Sequence, residues 1–336
     1  MTPGGFSIGY ITLNAGLSVL VGFGCALSLT IGPSGVGFGE LWTVILGGDL
    51  DTASLILREI RLPRMILAVL VGATLGLSGA AMQGFLRNPL AEPGVIGVSA
   101  AAAFGAVVAL YTGLSAVFAL ALPVAAISGA LLAVIVLQLL AGRQSTLTLI
   151  LAGVAISSLF GALTSLALNL SPNPFAAFEV MFWMLGSLTD RSLMHVQLAA
   201  PFILAGWLIL AFSARSLDAL SLGEEAAASL GVNISRSRSL VVFGTALCVG
   251  AAVAVSGVIG FVGLVVPHLL RPLVGHKPSR LLLSSALGGA AIVLFADILV
   301  RLITPGTELK LGVVTALLGA PFFLYLVLYA RTGRFE

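Results

Sequence analysis

Apolar stretches of about the ~20 residues that carry an α-helix across ~30 Å of hydrocarbon recur at 11–31, 63–86, 94–112, 115–140, 147–169, 193–213, 239–260, 281–303 and 311–330. That recurrence constrains the fold more than any single motif. Hydrocarbon offers backbone N–H and C=O groups no water, so a spanning chain must satisfy them within itself. Only 9% of the residues are charged and 59% are hydrophobic, against roughly a quarter charged in a soluble domain. The expected fold class is an all-α polytopic membrane protein.

A shorter apolar stretch at 258–271 contains Pro267 and His268. Counting it as its own helix gives about ten transmembrane helices and puts both termini on one side; nine crossings is the alternative. With the N-terminus inside, Arg87, Arg143, Arg215, Arg236, Arg238, Arg271, Lys277, Arg280, Arg331 and Arg334 fall on the cytoplasmic side. Arg58, Arg61, Arg64, Arg191, Arg301 and Lys310 fall outside, and this asymmetry favours both termini cytoplasmic. No basic n-region precedes the first stretch, because the first basic residue is Arg58, so residues 11–31 are read as a retained helix.

Between Arg61 and Ala101 an apolar helix runs into the polar, proline-bracketed turn Arg87–Gly94 and then into another apolar stretch. Irregular backbone at membrane depth is tolerated only when buried in protein or lining a wet cavity, which suits a transporter and not a simple anchor. Val71-Gly72-Ala73 followed by Ser78-Gly79 recurs as Val249-Gly250-Ala251 followed by Ser256-Gly257 at the same spacing. In the ten-helix topology the copies run in opposite directions, so an inverted repeat is expected; packing of small residues alone is the alternative.

Several function classes drop out. The net charge of +3 comes from cations scattered singly at the ends of apolar segments, not from a basic stripe, so no nucleic-acid partner is expected. A phosphate-binding G-x-x-x-x-G-K-[ST] loop is impossible, since the two lysines, Lys277 and Lys310, do not follow glycine. No catalytic residue is expected, and any ATPase is a separate subunit. His195, His268 and His276 are far apart, so no metal site is expected, and Cys25 and Cys248 are read as free buried thiols. An ion-coupled transporter would want a mid-membrane carboxylate relay, for which Asp297 is the one candidate within a stretch. A membrane scaffold leaves the polar turn unexplained.

Arg61 and Arg64 lie three apart at the outer end of the second helix and so share a face. Asp297 and Arg301 form an i,i+4 pair near the outer end of the ninth. The outer arginines either pair internally, with Asp297, or receive acidic groups from a partner. The one sizeable cytoplasmic insert, 216–232, is split by Gly223 and Gly231, and its second piece carries Glu224 and Glu225 at the start, the order expected of a short helix. Such a helix fits docking to a peripheral subunit. Residues 171–190 follow the fifth helix as a short aromatic segment that lines an outer vestibule or forms an interfacial belt.

The segments RLPR at 61–64, S-G-x-x-x-Q-x-x-x-R-N-P-L-A-E-P-G from Ser78 to Gly94, and WMLGSL from Trp183 to Leu188 together resemble the FecCD family. So do LSLGEEAAASLGV at 220–232, SGVIGFVGLVVPHLLR at 256–271, and D-x-x-x-R with P-x-x-E at 297–308. These are permease subunits of ATP-binding-cassette importers for haem, iron–siderophores or cobalamin. The resemblance implies a type II importer permease fold forming one permease domain over 1–336, with coupling helices at 216–232. Its implied partners are a second copy, two ATPase subunits, a periplasmic substrate-binding protein and the bilayer of a bacterial inner membrane. It implies binding-protein docking on Arg61, Arg64 and Arg301, and ATPase coupling through Leu220, Gly223, Glu224, Ala227, Leu230 and Gly231. It also implies a cytoplasmic gate near Leu90, Ser145 and Thr146. No permanently bound cofactor is expected; the similarity around 87–99 tilts the transported ligand toward haem. One departure from the family pattern is Lys310, ahead of Gly312, where proline usually follows the glutamate.

Overall fold

The computed structural model describes residues 9–32, 39, 51–118, 120–141, 146–171, 174–303 and 309–330. Every regular element among them is helical. Ten apolar helices correspond to the ten expected crossings. They are α1 (Tyr10–Thr30), α3 (Leu62–Leu86), α4 (Val98–Tyr111), α6 (Ala121–Ala141), α7 (Thr146–Asn169), α9 (Leu193–Phe212), α12 (Ile234–Ser256), α13 (Val262–Leu270), α14 (Pro278–Ile303) and α15 (Leu311–Ala330). Seven helical spans among the described residues are long and apolar enough to cross a membrane; Val98–Tyr111 and Leu311–Tyr325 are shorter apolar helices. With nine residues, α13 reaches only about 13 Å at 1.5 Å per residue, so it is a half-helix within the bundle. The remaining pieces are α2 (Asp51–Leu55), α5 (Leu114–Val117), α8 (Pro174–Met184), α10 (Ala214–Leu220) and α11 (Glu224–Ser229).

The second crossing is longer than its apolar run. A π-helical turn over Ile56–Arg61 joins α2 to α3, making one helical run from Thr52 to Leu86. The charges of Arg58, Glu59 and Arg61 end the hydropathy signal, but not the backbone hydrogen bonding.

Two helices, α3 and α12, form the centre and are buried along most of their length. The end of α3 lies by the insert: Gly84 faces Leu217, and Gly223 faces Arg87. From that same end α12 departs, finishing at Ser256, whose carbonyl accepts from the Ser187 N–H at 2.7 Å. The two helices therefore run in opposite directions. Each packs across the molecule on the third and fourth crossings of the other half, α3 on α13 and α14, α12 on α4 and α6. This is the interlock an inverted repeat produces. A second echo joins the first: Gly94-Val95-Ile96-Gly97 and Gly257-Val258-Ile259-Gly260 occupy the irregular segments leading into α4 and α13.

Small residues set the closeness of these crossings. A Cβ on Gly76 would fall 1.9 Å from the Ser285 carbonyl oxygen, and one on Gly289 2.2 Å from that of Gly72. Backbone therefore rests on backbone where α3 meets α14, which only glycine allows, and van der Waals contact of this kind drives helix association in lipid.

Candidate functional site

At one end of the bundle two arginines, Arg61 and Arg301, converge on the last turn of α1, and a third, Arg64, joins them through Asp297. The final carbonyls of a helix have no partner within it and carry partial negative charge. Arg61 donates to the Leu29 and Thr30 carbonyls at 2.6 and 2.9 Å. From α14, Arg301 donates to the Ser28 and Ile31 carbonyls at 2.8 and 3.0 Å and to the Ser28 hydroxyl at 2.6 Å. Between them sits Asp297, fully buried. Its carboxylate accepts from Arg64 Nε at 2.9 and 3.1 Å and from Arg64 Nη2 at 2.9 Å, and it pairs with Arg301 through Nε and Nη2. Internal pairing, one of the two readings of these residues, is thus realised, with Arg64 added from a different helix. Arg61 is 3% exposed, and the side chains of Arg64 and Arg301 are 13% and 5% exposed. In this conformation the three hold α1, α3 and α14 together.

The polar turn that follows α3 folds back into the protein. Arg87 takes a left-handed conformation at the helix end, φ 48°, and the Asn88 side chain accepts from the Leu90 N–H at 2.9 Å. Glu92 accepts from the Phe261 N–H at 2.8 Å, at the start of α13. Ser157 of α7 donates to the Gly94 carbonyl at 3.2 Å. From Leu90 to Gly94 the irregular backbone is thereby held against protein, the condition for its tolerance in a membrane, while Arg87, Asn88 and Pro89 are exposed. Leu90, expected near the gate, is partly buried in this turn. Ser145 and the side chain of Thr146 lie outside the described residues.

Gln83 joins this turn to α13. It donates to the Gly263 and Leu264 carbonyls at 3.4 and 3.2 Å and accepts from Arg271 Nη2 at 2.6 Å. One buried amide therefore grips both ends of the half-helix. In the sequence Gln83 stands only as a motif position, and nothing local ties it to Arg271, 188 residues on.

At the same end as Arg87, α10 and α11 form the insert expected at 216–232, with Gly223 at φ 110° and Gly231 at φ 83° making the turns. Asp218 accepts from the Ser279 N–H at 2.8 Å, capping α14, and lies 3.5 Å from Lys277. The predicted coupling residues divide into two groups. Leu220 and Ala227 are buried in the main core and anchor the insert, whereas Leu230 is 65% exposed, as is its neighbour in the insert Leu222 at 68%, a residue the sequence did not single out. Gly223 and Glu224 are half-buried between them, and Gly231 is exposed.

At the opposite end, α8 supplies Phe182 and Trp183 to a cavity of about 590 Å³ that Arg191 and Lys310 also line. The Lys310 ammonium lies 5.8 Å from the Phe182 ring centre, within cation–π range. The aromatic segment thus walls a cavity, as its vestibule reading requires.

This arrangement has close relatives. The chain is 42% identical to the cobalamin import system permease of Halobacterium salinarum, over 82% of this chain and 74% of that one. It is 38% identical to the haemin transport system permease of Yersinia pestis, over 91% and 92%. A solved chain described as a metal-chelate type ABC transporter in an inward-facing conformation superposes with a TM-score of 0.82 at 34% identity, covering 95% of this chain and 99% of that one. The FecCD transport family matches residues 20–329, and the chain belongs to that family.

Proposed function

We propose that this chain is the permease subunit of an ATP-binding-cassette importer that moves haem across a bacterial inner membrane by alternating access. The observation that carries the importer reading is the construction of α10 and α11. They are fixed to the core by Leu217, Leu220 and Ala227 and to α14 by Asp218, yet present Leu222 and Leu230 outward. Apolar side chains exposed beyond the membrane-spanning helices mark a protein contact. A subunit seated there can push on α14, and through Arg271 and Gln83 on α13 and the turn at 88–97. Two ATPase subunits bind at this end, which is cytoplasmic with both termini, and a periplasmic binding protein docks at the other.

The permease is taken to be a homodimer, with its transport path between copies. Docking falls on the end held by Arg61, Arg64 and Arg301; Arg64, the most exposed side chain of the three, is the one a partner carboxylate reaches first. ATP can shift the permease only by binding its states unequally through the ATPase.

Haem is the proposed cargo because the relatives include a haemin permease and the outward faces of α7 and α15 are apolar, with Leu151, Leu159, Leu317 and Leu318 all more than half exposed. Such walls suit a flat porphyrin. A ferric siderophore is the second reading, and cobalamin the third.

The test is uptake into proteoliposomes holding this chain and its ATPase, with binding protein outside and ATP inside. Haem uptake that needs both components is expected. Entry of a ferric siderophore but not haem would move the cargo assignment, and uptake independent of ATP would overturn the importer itself.

A further inference from the structure

A second site lies at the end bearing α10 and α11, to the side of the exposed leucines. A cavity of about 480 Å³ opens where α9, α10 and α12 meet, lined by Phe212, Arg215, Ser216, Val232, Arg236 and Leu240 among others, with no carboxylate in its wall. Arg215 and Arg236 are both exposed, and among the described residues neither guanidinium has a hydrogen bond or ion pair. The hydroxyl of Ser216 is already committed to the Ser213 carbonyl at 2.8 Å, so the two guanidiniums, with the side-chain amide of Asn233, are the cavity's available side-chain donors.

What leads to the cavity is equally specific. Along α9, Leu204, Leu208 and Phe212 are 53%, 59% and 70% exposed. They stand four residues apart and so form one stripe on the helix surface. An apolar stripe of this kind on a membrane-crossing helix faces hydrocarbon, and Arg215 follows three residues beyond its end, in the first turn of α10. The stripe ends in two unpaired cations at the depth where the helix leaves the membrane.

We propose that this cavity holds the phosphate headgroup of an anionic phospholipid, with an acyl chain along Leu204–Phe212. Guanidinium binds phosphate oxygens through paired N–H donors, and basic pockets between helices at the cytoplasmic surface select anionic headgroups. The two arginines together favour an anionic headgroup over a zwitterionic one on the order of 30-fold. Ser216 lies in α10 and Val232 follows α11, so an occupied cavity fixes those helices relative to α12. Anionic lipid therefore tunes the response to the ATPase; this consequence alone rests on the importer reading, and the binding itself does not.

Native mass spectrometry of the purified chain, loaded with phosphatidylglycerol or phosphatidylcholine, tests the binding. Phosphatidylglycerol is expected to be retained in preference, with about 30-fold weaker retention in R215Q/R236Q and near-complete recovery in R215K/R236K, which keeps both charges. Equal retention of both lipids, or unchanged phosphatidylglycerol retention in R215Q/R236Q, would overturn the proposal. Displacement of the lipid by inorganic phosphate at equal concentration would make this a free-anion site and overturn the lipid assignment. If R215Q/R236Q keeps the lipid but loses the ATPase subunit, the cavity is a protein contact and the proposal fails.

In proteoliposomes of the complete complex, wild-type ATP hydrolysis is expected to rise with phosphatidylglycerol content and that of R215Q/R236Q to stay flat. A wild-type complex that retains the lipid yet shows no ATP-dependent uptake would sink the importer reading and leave the lipid site standing.

Discussion

Asp297→Asn isolates what the outer ionic cluster contributes. The replacement keeps the shape of the side chain and removes the charge that two guanidiniums share. Arg301 retains its three bonds to α1 through Ser28 and Ile31, so the loss falls mainly on Arg64, whose acceptors here are the two Asp297 oxygens. Removing one partner of a buried pair costs about 3–5 kcal/mol. Arg64 is 13% exposed and long enough to bend toward the surface, which places the cost near ~3 kcal/mol. At roughly 2–4 °C per kcal/mol, the thermal midpoint in detergent should fall by about 6–12 °C. Replacing both partners with apolar residues removes the stranded charge, so R64M/D297L should melt above D297L alone. A D297N midpoint within about 1 °C of wild type would refute the reasoning, as would R64M/D297L melting no higher than D297L. The same variant addresses docking. If Arg64 binds the partner by exchanging Asp297 for a partner carboxylate, D297N should bind it more tightly.

Further substitutions probe other parts of the fold. Gly76→Ala places a methyl 1.9 Å from a backbone oxygen of α14, so it should cost at least the ~1–3 kcal/mol of ordinary overpacking. Gly161→Ala, whose new methyl meets open space in the middle of α7, should leave the thermal midpoint no lower than wild type and the fold up to about 1 kcal/mol more stable. Leu230→Asp alters a residue 65% exposed, so the chain should fold normally and bind the ATPase at least tenfold more weakly, a loss of about 1.4 kcal/mol, read by co-purification. Gln83→Leu strands Arg271 and should cost ~1.5–3 kcal/mol, the range for a hydrogen bond to a charged group. Arg271→Leu in the Gln83→Leu background should then cost much less than Arg271→Leu alone, because neighbours sharing one interaction are not additive.

The apolar helices were legible because length and hydropathy report directly on what hydrocarbon requires of a backbone, although α13, at nine residues, is too short to cross alone. So were α10 and α11, since Gly223 and Gly231 mark turns that do adopt positive φ, at 110° and 83°. Long-range polar pairing was legible only in part. Helical periodicity offers Arg301 as the partner of Asp297, four residues on, but Arg64 is 233 residues away and Gln83 is 188 from Arg271, beyond any local rule. Depth supplies what periodicity lacks. The topology puts Arg61, Arg64 and Arg301 at the same outer end as Asp297, and a carboxylate buried among several cations is not confined to a single i,i+4 partner. Each further guanidinium at that level needs an acceptor, and a helix ending there, α1, offers unpaired carbonyls. In hydrocarbon a polar group must find its partner at its own depth, because water cannot substitute for it. Sorting the charged residues of such a chain by depth therefore narrows the partners of Asp297 to the outer cations, Arg58, Arg61, Arg64, Arg191, Arg301 and Lys310, and the packing of α1, α3 and α14 chooses among them.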